Sequence, residues 1–308
     1  MPDRTGPTSH SFFSQRLRLH YVDYGNSDAP LLVLLHGGRD HARSWDFVAE
    51  KLRDRYHVVA PDLRGHGDSA WAVGSHYSIL DYILDLARLL EHLGSKRVIL
   101  VGHSLGGAIA LQYAGVAPEG VEKLCAIEGL GPPPGMFPDR PIDERLAEWI
   151  STMRELAARQ PRRYASLEEA ASRMHEANPH LTEEMAHHLT LHGSMRLEDG
   201  SFAWKFDNYV RAWPPTRYDR EGVERLWSRI RVPVLLFRGK ESWAEDPVAD
   251  GRAAHFREYR YVEVDGAGHW VHHDRLDVFM GSLEEYLAEP VEYLDAVDTR
   301  SKESEGDS

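Results

Sequence analysis

The 308-residue chain has one cysteine, few basic residues relative to acidic ones, and no long apolar run. Each shortage excludes something. A lone thiol, Cys125, rules out an internal disulfide and any zinc site built from several cysteines. Its place within an apolar stretch marks it as a core filler. No segment approaches the roughly 20 consecutive apolar residues of a membrane span, and residues 1–10 lack the apolar stretch of a secretory signal. The expected location is therefore the cytoplasm, with no membrane partner. Lys and Arg number 36 against 49 Asp and Glu, a formal charge of −13. Such a balance disfavours nucleic acid and anionic membrane surfaces as partners. What is present is a globular composition, 42% hydrophobic and 28% charged, on a chain long enough for one large core plus an insertion.

The most informative stretch is Val101-Gly102-His103-Ser104-Leu105-Gly106-Gly107. Arg97-Val98-Ile99-Leu100 before it reads as a buried strand, and Ala108-Ile109-Ala110-Leu111-Gln112-Tyr113-Ala114 after it reads as a helix ending before Pro118. A serine with glycines at minus two and plus two, between strand and helix, is the nucleophile-elbow pattern. So tight a turn strains the serine backbone and requires neighbours with almost no side chain. The helix N-terminus behind Ser104 presents unpaired N–H groups, so the Leu105 amide is placed to stabilise an oxyanion. A second apolar run, Leu31-Leu32-Val33-Leu34-Leu35, leads into His36-Gly37-Gly38, which makes the Gly38 amide the second candidate donor. After Val58-Val59-Ala60 comes Pro61-Asp62-Leu63-Arg64-Gly65-His66-Gly67-Asp68-Ser69, a turn-prone loop whose charges read as structural pins.

With Gly266-Ala267-Gly268-His269-Trp270 added, these motifs stand in the order found in α/β-hydrolase-fold enzymes, which the chain resembles over about residues 15–130 and 225–288. The resemblance implies a mostly parallel central sheet flanked by helices, a serine-histidine-acid triad without cofactor or metal, and hydrolysis, most often of carboxylic esters. His269 then follows the last strand on a loop, where a neutral imidazole suits a general base that later returns its proton. His272 and His273 read as surface residues at the start of the final helix.

The acid departs from the family pattern. After the strand Val232-Pro233-Val234-Leu235-Leu236-Phe237, the position usually held by aspartate is Ser242, which cannot carry a negative charge. Three carboxylates compete. Glu128 ends the strand Lys123-Leu124-Cys125-Ala126-Ile127 at the carboxyl edge of the sheet, where α/β folds place ligands. Certain related dehalogenases carry their acid at that point, and the order Ser104, Glu128, His269 keeps nucleophile, acid and histidine in sequence. Asp246, before Pro247 and a helix-like run at 248–256, also reads as an N-cap. Glu241 lies next to the vacant position. Glu128 is preferred, with Asp246 and Glu241 left open.

The organisation read from the pattern is a hydrolase core at 10–131 and 223–290, interrupted by a mainly helical cap at 132–222, with an acidic disordered tail at 291–308. Residues 16–24 alternate like an antiparallel edge hairpin. Residues 78–94 form an amphipathic helix with Ser78 and Asp81 as a capping box and Gly94 closing it. Cap helices are expected at 142–159, 167–178 and 182–192, followed by a hairpin turning at Glu198-Asp199-Gly200-Ser201. His188 and His192 are four residues apart, yet Leu189 stands where a zinc protease has glutamate, so no metal is expected. Trp149, Trp204, Tyr209, Trp213, Trp243 and Trp270 are candidates to line an apolar pocket or to pack cap onto core. The expected partner is a small, apolar ester. Cleavage of C–C, lactone, thioester or amide bonds, and a receptor-like role with little turnover, are the alternatives.

Overall fold

In the computed structural model, residues 6–291 other than 138, together with 293–295, are described. The chain begins with β1 (Thr8–Ser14) and β2 (Leu17–Asp23), followed by β3 (Leu31–Leu35), α1 (Asp46–Leu52) and β4 (His57–Pro61). Next come α2 (Ile79–His92), β5 (Val98–His103), α3 (Leu105–Val116) and β6 (Val121–Ile127). The eight-stranded sheet has the order β1-β2-β4-β3-β5-β6-β9-β10, its last two strands being β9 (Val234–Gly239) and β10 (Tyr259–Val264). From β4 to β10 every pairing is parallel; only β1–β2 and β2–β4 run antiparallel. The central order puts β3, β5 and β6 side by side, so the loops after these strands open at one edge.

The sheet is covered on both faces, which explains why β3 and β5 are apolar without alternation. Leu31, Val33 and Leu35 join the core beneath α2, α3 and α7 (Arg220–Ser228), while Leu32 and Leu34 join the core beneath α1 and α9 (Leu276–Ala288). Helix α2 starts as its sequence dictates, with the Ser78 hydroxyl accepting from the Asp81 amide. The 16–24 segment belongs, as expected, to an antiparallel hairpin at the sheet edge: β1 is outermost, and β2 lies between it and β4.

Between β6 and β9 the chain leaves the main sheet. It forms α4 (Ile142–Ala158), α5 (Leu167–Ala177), α6 (Glu183–Gly193) and a two-stranded ribbon, β7 (Ser194–Arg196) with β8 (Phe202–Trp204), before α7. The 248–256 run is not one helix. Gly251 adopts φ +85° and breaks it, leaving only a single tight turn at Arg252–His255. Of the expected tail, Leu294 exchanges hydrogen bonds with Arg231 and Asp295 accepts from Arg257, so 293–295 are held; residues 296–308 lie outside the described residues. Among the described residues, no helix is long and apolar enough to cross a membrane.

Candidate active site

Ser104 occupies the turn between β5 and α3 with φ +50° and ψ −113°, outside the region L-residues favour. The turn closes only because its flanks lack side chains. A Cβ on Gly102 would lie 2.4 Å from the Gly106 carbonyl oxygen, and one on Gly106 would lie 2.2 Å from that of Leu35. The Ser104 amide donates to Ile127 O at 2.8 Å, tying the elbow to the end of β6. The first bond of α3 runs from Ala108 N to Ser104 O, so the Leu105 amide has no partner within the helix. Across the elbow, a Cβ on Gly37 would come within 3.4 Å of Ser104 Cβ, which brings the loop after β3 alongside the serine. Gly38 in that loop faces open space. His36 holds the loop, with Nδ1 donating to Gly37 O and Nε2 accepting from Leu63 N. Burial pushes this imidazole down to about 4, in keeping with the neutral form that can both donate and accept.

One residue beyond β6, Glu128 has φ +49°, again strained for a non-glycine residue. Its amide still donates to Phe237 O, so the turn begins while the parallel ladder with β9 is intact. The bend buries the carboxylate completely and aims it across the end of β9. There Oε1 accepts from the Gly239 amide at 2.8 Å, and Oε2 accepts from the Ser242 hydroxyl at 2.6 Å and pairs with His269 Nδ1 at 2.5 Å. Ser242, the residue in the vacant aspartate position, is thus a hydrogen-bond donor to the carboxylate from the neighbouring strand. Sequence reasoning saw the vacancy and missed this role. The other two carboxylates do not reach the imidazole. Asp246 accepts from the Val248 and Ala249 amides as a turn cap, and Glu241 lies 3.6 Å from His180.

His269 follows β10 on a loop shaped by Asp274, whose carboxylate accepts from Gly268 N at 2.8 Å. Its backbone carbonyl accepts from His103 Nε2 at 2.9 Å, so the residue before the elbow serine grips the histidine loop directly. Burial first, then the neighbouring His269 and His273, hold His103 well below the ordinary imidazole range. A neutral ring at this place adds no positive charge beside His269. The expectation that His272 and His273 are surface residues is corrected: both are buried. The short helix α8 (Val271–Asp274) turns them inward, where the His272 ring stacks 4.4 Å from Trp45 and lies tilted 4.8 Å from His103. Of the expected aromatics, Trp243 lies 4.7 Å from the His269 ring and is 73% exposed, while Trp204 and Trp270 line a narrow cleft between the loops after β3, β4 and β10 and the α5–β8 segment.

His188 and His192 gain a third possible ligand that the sequence did not suggest. One atom each from Asp46, His188 and His192 lies within 4.8 Å of the others. The group nevertheless fits a cation poorly. The Asp46 carboxylate already accepts from Tyr24 at 2.6 Å and from Arg43 Nε at 2.7 and 2.8 Å, and the Arg43 charge opposes a second cation. The loop after β4 is structural. Asp62 binds His20, Ala42 N and Asp68 N, and Arg64 pairs with Asp85 of α2 through two contacts of 2.6 Å.

Residues 32–280 match the alpha/beta hydrolase family. The chain is 30% identical over 266 residues to the esterase Rv0045c of Mycobacterium tuberculosis, covering 83% of each. It is 26% identical to epoxide hydrolase 1 of Caenorhabditis elegans, over 89% of this chain and 68% of that one. Among solved structures, that of hypothetical protein PA1622 from Pseudomonas aeruginosa superposes with a TM-score of 0.79 at 26% identity, covering 91% of this chain and 97% of the other. The chain belongs to the alpha/beta hydrolase family. It is a hydrolase of esterase-like architecture.

Proposed function

We propose that this hydrolase cleaves carboxylic esters through an acyl-enzyme formed on Ser104, with His269 as general base and Glu128 as the acid. The observation that carries the reading is the Glu128 carboxylate on His269 Nδ1 at 2.5 Å, beside a strained serine whose backbone is bonded to the strand that delivers Glu128. With Nδ1 facing Glu128, Nε2 is the nitrogen left to take the Ser104 proton. Ser104 Oγ then attacks the ester carbonyl, and the Leu105 and Gly38 amides stabilise the oxyanion. Imidazolium, stabilised by Glu128, returns its proton to the departing alcohol. Water repeats the sequence on the acyl-enzyme. Relatives named for epoxide hydrolysis do not redirect this reading, because epoxide opening in this fold uses a carboxylate nucleophile and this elbow carries a hydroxyl. We assign the cap to residues 132–222, between core segments at 10–131 and 223–290, the substrate to small, apolar esters, and the setting to the cytoplasm.

A fluorophosphonate should label Ser104 in the native protein and leave Ser104→Ala unlabelled, and that variant should lose about 10³-fold or more of its esterase rate. Tight ligand binding with neither labelling nor turnover would support a receptor instead. A panel of p-nitrophenyl esters with thioester, lactone and amide analogues separates the acyl bonds this machinery serves. Ser242→Ala removes a charge-assisted hydrogen bond of the kind that contributes about 1.5–3 kcal/mol. It should lower kcat by about 10-fold with KM nearly unchanged; a raised KM at constant kcat would place Ser242 in substrate binding rather than in holding Glu128.

A further inference from the structure

The narrow cleft runs beside the elbow and the His269 loop. Asp40 and His41, which follow Gly38 by two and three residues, line it from the core side together with Trp270, the residue after His269. Leu189, Trp204 and Phe206 line it from the cap side. Two acceptors are set into this largely apolar lining. Asp40 and His41 are each 6% exposed, and Asp40 Oδ2 and His41 Nδ1 are buried with no hydrogen-bond partner among the described residues. The other atoms of the same side chains are engaged. Asp40 Oδ1 accepts from the His41 amide at 2.9 Å, and His41 Nε2 donates to Leu189 O at 2.9 Å. The Ser44 hydroxyl is near enough to favour the Asp40 charge but is itself without a hydrogen-bond partner. Other enclosed carboxylates are fully occupied: Asp62 meets His20, Ala42 N and Asp68 N, and Asp85 binds Arg64 through both oxygens. Among the described residues, Asp40 is the only carboxylate with a buried, unpartnered oxygen.

A buried acceptor without a donor destabilises a fold, and two of them on adjacent residues of a cleft call for a group that satisfies them. The cleft has a volume of about 10 Å³, the room of about one water, so the entering group is small. Burial raises Asp40 to about 7 and lowers His41 to about 4. Near neutral pH the lining therefore offers a carboxyl group that can donate or accept, beside an imidazole nitrogen that only accepts. A hydroxyl, which does both, suits either form of Asp40. An ammonium would face Lys205 and Arg39 on the same lining, and a carboxylate would face Asp40. We propose that Asp40 and His41 form a subsite for a hydroxyl group of the substrate, so that the preferred ester is apolar over most of its length and carries one hydroxyl away from its scissile carbonyl. Both acceptors are shut off from solvent, so the hydroxyl reaches them as the cap side of the cleft gives way. The proposal rests on the hydrolase reading and narrows its substrate from a small ester to a hydroxy ester.

The test compares esters in which a hydroxyl is exchanged for a methyl. On the acyl side, p-nitrophenyl 3-hydroxybutanoate and 6-hydroxyhexanoate are set against the 3-methylbutanoate and heptanoate, with the 6-aminohexanoate as a charged control. On the alcohol side, 4-hydroxybutyl butanoate is set against pentyl butanoate. In at least one pair the native protein should favour the hydroxy ester by about 10-fold or more in kcat/KM, because a site built around a substrate hydroxyl rejects the analogue that lacks it. Asp40→Ala should bring that ratio to about one. Asp40→Asn, which keeps the size of the side chain and an acceptor for the His41 amide, should retain part of it. A merely structural Asp40 would lower Tm and both rates together and leave the ratio alone. In Ser104→Ala, the favoured hydroxy ester should raise Tm more than its methyl counterpart, and adding Asp40→Asn should shrink the difference. Equal turnover within every pair, or a hydroxyl preference that neither Asp40 variant changes, overturns the subsite. A stronger preference for the amino ester overturns it equally, by making the site one for a cation. Failure of every ester together with absent fluorophosphonate labelling overturns the hydrolase reading instead, and the Tm difference then decides the subsite alone.

Discussion

Glu128→Gln is expected to lower kcat for ester hydrolysis by about 10²- to 10⁴-fold. The amide keeps the size of the carboxylate but loses the charge that stabilises an imidazolium, and its NH2 group can drive His269 into the wrong tautomer. The Gly239 and Ser242 donors make the change worse, since both aim hydrogens at oxygens of a buried group built to accept. Asp246→Asn and Glu241→Gln should stay within about 2-fold of the native rate, as neither side chain meets His269 and a surface carboxylate contributes little. Steady-state kinetics on the purified variants checks this. A near-native Glu128→Gln beside a crippled Asp246→Asn would move the acid to the other loop.

Stability should fall on mild acidification. Burial pushes His36 and His41 down to about 4 and His66 and His273 down to about 3, and it holds His103 and His272 well below the ordinary range. In the unfolded chain each of these imidazoles titrates near 6.5. The folded state therefore binds fewer protons below that value. The stability that neutral rings confer is complete above about pH 6.5 and is lost as pH falls toward the folded values. Within that window each ring accounts for about 1.4 kcal/mol per pH unit, so His36, His41, His66 and His273 together remove about 6 kcal/mol by about pH 5.5, and His103 and His272 act in the same direction. That is comparable with the whole stability of an ordinary domain. Asp40, raised to about 7 by burial, and Asp274, raised to about 6, run the other way and together recover about 3 kcal/mol over the same range. Urea unfolding followed from about pH 8 to 5 measures the slope. A flat profile would show that these rings are charged or solvated in the folded state.

Much of the architecture was legible because its signals are local. The elbow, the His36-Gly37-Gly38 loop and the capped helix α2 each declare themselves within a few residues of sequence. Glu128 was legible as a candidate because it stands at the carboxyl end of a central strand, where α/β folds place ligands, and keeps the order nucleophile, acid, histidine. What escaped depends on contacts made far along the chain. The Ser242 hydroxyl acquires its role only when β9 lies beside β6, 114 residues from Glu128 in sequence. His272 and His273 look like surface residues in sequence, and only the inward turn of α8 against Trp45 and His103 buries them. Asp46 comes from α1, far from the histidine pair of α6, so the pair gave no sign of it. The run after Asp246 has a helix cap and helix formers, but Gly251 in a left-handed conformation ends it.

The central claim is that the hydroxyl at position 104 becomes covalently acylated during turnover. Rapid mixing with a p-nitrophenyl ester, quenching in acid and peptide mass mapping tests it most directly. The account predicts a burst of p-nitrophenol matched by one acyl group on Ser104, with both absent in Ser104→Ala. An acyl group on another residue, or turnover that survives in Ser104→Ala, would contradict it.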